Sequence, residues 1–136
     1  MPDTMKLEIV TPGAVVYSQD VTMVTLPAVE EQIGVYPHHV PLLTRMTPGE
    51  MIVRRGNVEE FLAVGEGVVE ITGDQISIVT DMAVAVKDID EAKAEEARQR
   101  AAARLRDKIS DEELATVNAS LARSLAQLKV KRRHRV

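Results

Sequence analysis

The adjacent imidazoles of His38 and His39 are the side chains best placed for proton or metal chemistry, and they lie in Gly34-Val35-Tyr36-Pro37-His38-His39-Val40-Pro41-Leu42-Leu43. Neighbouring residues on a regular element point apart, and too few further ligands lie nearby to complete a coordination shell. No metal site is therefore expected. There is no serine on a recognisable nucleophile elbow to complete a triad. No glycine-rich run ends in Gly-Lys-Ser/Thr, and Gly65-Glu66-Gly67 is too short to cradle phosphate and reads as a turn or bulge. With no cysteine, a thiolate nucleophile, a disulfide frame and a Cys-based zinc site are all excluded. An enzyme reading has no residues behind it. The run offers shape instead. Pro37 and Pro41 fix φ and lack an N–H, so neither fits a helix interior or a central strand. They brace a rigid loop that is either an exposed turn or a recognition surface held in shape at little entropic cost. Leu42-Leu43 is expected to take the chain directly back to core.

Positive charge gathers at Lys129, Lys131, Arg132, Arg133 and Arg135. Such a run could bind nucleic acid, but the chain carries a net charge of −4 and its aromatics are Phe61, Tyr17 and Tyr36 alone. A stacking platform for single strands is thereby missing. Cations at the end of a helix also complement its dipole, so no nucleic-acid partner is expected.

Two segments of unlike composition must position these groups. Residues 1–86 hold 4 Lys/Arg against 12 Asp/Glu, and residues 87–136 hold 13 against 9. β-Branched residues dominate the first segment, and Ala, Glu and Arg the second, which places a boundary near Val86–Asp88. Met1 to Val10 has no basic stretch followed by an apolar one, so no signal peptide is expected. No apolar run approaches the roughly 20 residues of a spanning helix, so direct membrane insertion is not expected.

In residues 1–86, Met5, Leu7 and Ile9 alternate with Lys6 and Glu8 as in a half-buried strand, which Thr11-Pro12-Gly13 ends. Val21 to Leu26 reads as a second strand closed by Pro27. Gly56-Asn57 and Gly73-Asp74 each sit between apolar runs and signal two-residue hairpins. The pattern predicts an antiparallel β-sandwich or flattened barrel. Residues 87–136 predict an antiparallel two-helix hairpin. Asp88 with Glu91, and Ser110 with Glu113, are spaced as capping boxes. The first apolar stripe runs through Ile89, Lys93, Ala97, Ala101 and Leu105, and the second through Leu114, Val117, Leu121, Leu125 and Leu128. The join over Arg106–Ser110 is short enough to force an antiparallel return. So few large aliphatics make a hairpin that must dock on the β segment or on another protein. Weak docking is what a conformational switch requires.

Taken in order, Lys6-Leu7-Glu8-Ile9-Val10-Thr11-Pro12, Val24-Thr25-Leu26-Pro27, the proline loop, Pro48-Gly49, Asp88-Ile89-Asp90 and Ala126-Gln127-Leu128-Lys129-Val130 resemble the epsilon subunit of the bacterial F-type ATP synthase over essentially the whole chain. The resemblance implies a non-catalytic central-stalk subunit of a proton-translocating rotary enzyme that couples c-ring rotation to the gamma subunit. Residues 1–86 would be a β-sandwich gripping the rotor, with Glu30, Glu31, Gln32, His38, His39 and Pro41 as contact residues. Residues 87–136 would be a regulatory hairpin able to restrain ATP hydrolysis, with Arg98, Arg100, Arg104, Arg123 and Lys129 facing acidic segments of the catalytic beta and alpha subunits. The implied place is peripheral, on the cytoplasmic face of the bacterial inner membrane. Some relatives bind ATP on the folded hairpin, and the matching positions are Ile89, Asp90, Lys93, Ala94, Arg100 and Arg123. Lys93 stands for the motif's arginine and cannot give its planar bidentate contact, and Gln127 stands where a later arginine would fall. Weak or no ATP binding is expected, and no cofactor. Two further departures are His38, where many relatives have glycine, and Gln32, where they have glutamate. The alternative reading is a stand-alone nucleotide-sensing module.

Overall fold

The computed structural model describes residues 3–29 and 31–134. Ten strands form two five-stranded sheets, followed by two helices. The first sheet runs β2-β1-β9-β8-β5, with β1 Met5–Thr11, β2 Ala14–Val21, β5 Leu42–Met46, β8 Gly67–Thr72 and β9 Gln75–Thr80. The second runs β10-β7-β6-β3-β4, with β3 Met23–Pro27, β4 Gln32–Val35, β6 Gly49–Arg55, β7 Val58–Val64 and β10 Ala83–Ala85. Period-two alternation builds the core between them. Met5, Leu7, Ile9, Ile76 and Ile78 point inward from one sheet and Val24, Leu26, Met51, Val53 and Leu62 from the other, all buried.

Both two-residue hairpins form as expected: Arg55 pairs with Val58 across Gly56-Asn57, and Thr72 with Gln75 across Gly73-Asp74. Gly56 and Gly73 take positive φ of 59° and 48°, the region such turns need. Two strand readings are corrected. The pairing is not wholly antiparallel, because β1 and β9 run parallel. The stretch Val21 to Leu26 is not one strand. Val21 ends β2 in the first sheet and Met23 opens β3 in the second, so the chain changes sheets at Thr22. The backbone N–H and hydroxyl of Thr22 both donate to the carbonyl of Arg54, at 2.8 and 2.9 Å, which satisfies the backbone where no ladder can.

Helix α1 spans Glu91–Arg104 and α2 spans Asp111–Arg133. Ser110 caps α2 as expected, accepting from the Glu113 N–H at 3.2 Å. The first cap is Asp90, which accepts from the Lys93 N–H at 3.1 Å, whereas Asp88 lies in a 3₁₀ turn over Val86–Asp88. The two helices pack antiparallel, and α2 lies on β6 and β7 of the second sheet. The apolar stripes are only partly as read. Ala101, Leu128 and Ile89 are buried, but so are Ala94, Ser124, Ala126 and Val130, while Leu114 and Leu125 face water and Lys93 is exposed.

Candidate functional site

The proline loop joins β4 to β5, between buried Val35 and buried Met46. Leu42 and Leu43 do not return to core. Leu43 is 68% exposed, and in the same segment Tyr36 is 58% and Val40 71% exposed. The reason is topological: β5 is the edge strand of its sheet, and only Met46 of its apolar residues reaches the interior. Pro41 is exposed with them. His38 has φ +67°, a left-handed conformation that costs a non-glycine residue on the order of 1 kcal/mol. Its Nε2 lies 3.0 Å from Asp3 Oδ2 and its Nδ1 3.3 Å from Asp74 Oδ1, so carboxylates on both sides hold the ring. His39 instead donates from Nδ1 to the Val40 carbonyl at 2.6 Å. The two imidazoles thus serve different partners. Among the described residues, no three His, Cys, Asp or Glu side chains group as a metal would need.

Glu31 and Gln32 are exposed at the start of β4, and Glu30 lies outside the described residues. Glu31 and Gln32 both line a cleft of about 290 Å³ between the sheet and α2, together with Pro48, Glu50, Lys129 and Arg133. Lys129 of the hairpin group is therefore brought next to two of the rotor-contact candidates. The histidines are not among the residues lining that cleft.

The helix–sheet seam joins Ile89 and Arg123, which the sequence singled out for other roles, to Ala63, Asp81 and Met82, which it did not. The outer face of the second sheet carries Ala63, and Met82, Ile89, Ala126 and Val130 close on it as a small apolar cluster. Arg123 Nη1 donates to Asp81 Oδ2 at 3.0 Å, Gln127 Nε2 to Met82 Sδ at 3.0 Å, and Lys131 Nζ to the Val86 carbonyl at 3.0 Å. Gly65 makes room for this. A Cβ there would stand 1.8 Å from Asp81 Oδ1, so only glycine leaves the carboxylate free to meet Arg123. Gly65-Glu66-Gly67 was the available signal, and the turn it forms between β7 and β8 gave no hint of what needed the space.

The remaining cations are distributed rather than clustered. Arg98 donates from Nε and Nη2 to Glu95, at 2.5 Å for the shortest contact. Hydrogen bonding from Arg98, more than charge, pulls the Glu95 carboxyl down to about 2. Arg104 spans the hairpin turn, bonding Asp107 at 3.1 Å and Glu113 at 2.5 Å. Arg100 lines an open groove of about 340 Å³ between the helices with Arg104, Thr116 and Ser120. Of the residues matched to nucleotide binding, Ile89 is in the seam, Asp90 caps α1, Ala94 is buried and Lys93 is exposed. Arg123 is held by Asp81 and does not line the groove of Arg100.

No helix among the described residues is long and apolar enough to cross a membrane. Two family models match the chain: the ATP synthase delta/epsilon chain beta-sandwich domain over residues 4–86 and the delta/epsilon chain long alpha-helix domain over residues 87–132. The ATP synthase epsilon chain of Halorhodospira halophila is 38% identical over 128 residues, covering 93% of this chain and 91% of that one. That of Laribacter hongkongensis is 40% identical over 128 residues, with the same coverage. A chain of the Euglena gracilis mitochondrial ATP synthase superposes with a TM-score of 0.73 at 19% identity, over 95% of this chain and 81% of that chain. One from the Tetrahymena thermophila mitochondrial ATP synthase central stalk and c-ring gives 0.66 at 14%, over 95% and 97%.

Proposed function

This chain belongs to the ATP synthase delta/epsilon-chain family, and from that premise we propose that it is the non-catalytic epsilon subunit of the central stalk of a proton-translocating F-type ATP synthase. Residues 1–86 grip the gamma subunit and the c-ring, on the cytoplasmic face of a bacterial inner membrane. Residues 87–136 form a movable arm that restrains ATP hydrolysis when it reaches the catalytic beta and alpha subunits. The observation that carries the reading is the loop itself. Tyr36, Val40 and Leu43 leave three large apolar side chains in water within ten residues braced by Pro37 and Pro41, as a standing interface would. Glu31, Gln32, His38, His39 and Pro41 flank it, with Glu30 beside them in sequence. Arg98, Arg100, Arg104, Arg123 and Lys129 supply cations for acidic partners, which would steer docking more than tighten it.

Two measurements test this. Leu43→Asp, on a side chain that is largely exposed, should leave the fold intact and abolish co-purification with tagged gamma; retained co-purification would remove the loop from the interface. Deleting residues 88–136 should leave assembly intact and raise hydrolysis by the detached catalytic head. Unchanged hydrolysis would mean that the arm does not inhibit.

A further inference from the structure

We infer that Glu50 is the receptor of a releasable latch, closed by Arg133 and His134 at the last turn of α2 with Phe61 as the seat of the His134 ring. Met51 and Val53 of β6 point into the sandwich core, so alternation puts Glu50 and Ile52 on the opposite, outer face. A carboxylate on an outer face belongs in water. Glu50 is nonetheless only 7% exposed, because α2 packs over β6 and β7 there. In register with β6, Glu50 pairs with Ala63 and Ile52 with Phe61, so Ala63 and Phe61 share that outer face. Ala63 admits the helix closely, and Phe61 stacks on His134 with ring centroids 3.9 Å apart.

The contact is strong on one side and incomplete on the other. His134 Nε2 donates to Glu50 Oε2 at 2.5 Å. Arg133 Nη1 is 3.3 Å from Oε1, an ion pair, yet that buried oxygen has no hydrogen bond. A carboxylate buried with one oxygen unsatisfied recovers only part of its desolvation cost. On release both oxygens regain water. The device therefore fixes where the helix end sits without welding it there, which is what a bistable arm needs. It does so through a residue whose partners are 83 and 84 positions away along the chain, so no local pattern announces it.

The inference rests on the hairpin being movable, and its test is independent of whether movement inhibits hydrolysis. In the isolated full-length chain, amide exchange over α2 is compared with exchange in β1 and β9. Glu50→Gln keeps the shape and removes the charge, and an Arg133→Ala/His134→Ala double variant, confined to the helix end, changes no residue of the sandwich if the first folds poorly. Each should speed exchange in the last two turns of α2 about tenfold with β1 and β9 unchanged. Exchange in α2 within twofold of the parent in both variants would overturn the latch. Equal acceleration in the β strands would also overturn it, by making Glu50 a structural residue of the sandwich.

Discussion

Placing a charge in the helix–sheet seam should separate the hairpin from the sandwich while leaving the sandwich folded. Val130 is 1% exposed and sits with Ala63, Met82, Ile89 and Ala126. Val130→Asp forfeits about 1.5–3 kcal/mol of apolar burial and adds a penalty of several kcal/mol for a buried, unpaired carboxylate. The buried large apolar side chains left in the seam are Met82 and Ile89, each at about 1.5–3 kcal/mol, with Val84 and Val86 partly buried against them. The Asp81–Arg123 pair is one-third exposed on both sides and adds about 0.2–1 kcal/mol. The insertion thus costs about as much as Met82 and Ile89 together contribute, and undocking, which returns the carboxylate to water, is the cheaper response. The core cluster between the sheets shares no residue with the seam cluster, so its cohesion is unaffected. Hydrogen exchange of the full chain, read by mass spectrometry, should show protection in α2 falling at least a hundredfold, about 2.7 kcal/mol. Peptides covering β1 and β9 should not change. Leu125→Asp, on the same helix but exposed, should leave docking alone. Protection in α2 within threefold of the parent, or parallel loss in the strands, would refute the two-body account.

Gly65→Ala should push Asp81 off Arg123 and raise α2 exchange severalfold; unchanged exchange would show that the Asp81–Arg123 pair contributes nothing to docking. Asp90→Ala should cost about 1 kcal/mol, as lost N-caps do, against under about 0.5 kcal/mol for Asp88→Ala, compared by urea midpoints; the reverse order would restore Asp88 as the cap. Burial, and then the hydrogen bond to Glu60, push the Tyr17 phenol from 10.0 up to about 12. The folded state therefore holds the Tyr17 proton longer than the unfolded chain, and stability should be full below pH 10 and decline from 10 to 12. Tyr17→Phe should abolish that part of the slope, and a slope that survives the substitution would assign it elsewhere.

What was legible in the sequence was whatever depends on neighbours in the chain. Period-two alternation marked β1, and the apolar runs flanking Gly56-Asn57 and Gly73-Asp74 marked two hairpins, because pleat and turn are local consequences of side-chain order. The Ser110 cap was local too. What was not legible depends on tertiary partners. Thr22 switches sheets because Arg54 accepts both of its donors across 32 positions, and an apolar run crossing that point looks like one strand. Leu42-Leu43 has the composition of core and the position of an edge, and edge status is fixed only when the other strands have paired. The α1 cap moved from Asp88 to Asp90 because Val86–Asp88 closes a separate 3₁₀ turn, and the same spacing of acids fits either start. Asp81, Glu50 and Phe61 became visible only once α2 lay on the sheet.

The stripe on α2 is the most informative of these differences. A helix selected only to stay docked would put its largest side chains into the seam, since each leucine moved there would add about 1.5–3 kcal/mol. This helix docks through Ala126 and Val130 and leaves Leu114 and Leu125 in water. Those leucines are eleven positions apart, close to three helical turns, so they share one face. The seam is also fastened by an ion pair that is one-third exposed and by a buried carboxylate with one oxygen unsatisfied. Weak apolar cohesion combined with specific polar fastening defines a position without holding it strongly. The arrangement favours an arm that has one well-defined resting place and can leave it at modest cost, over an appendage fixed to the sandwich as part of its core.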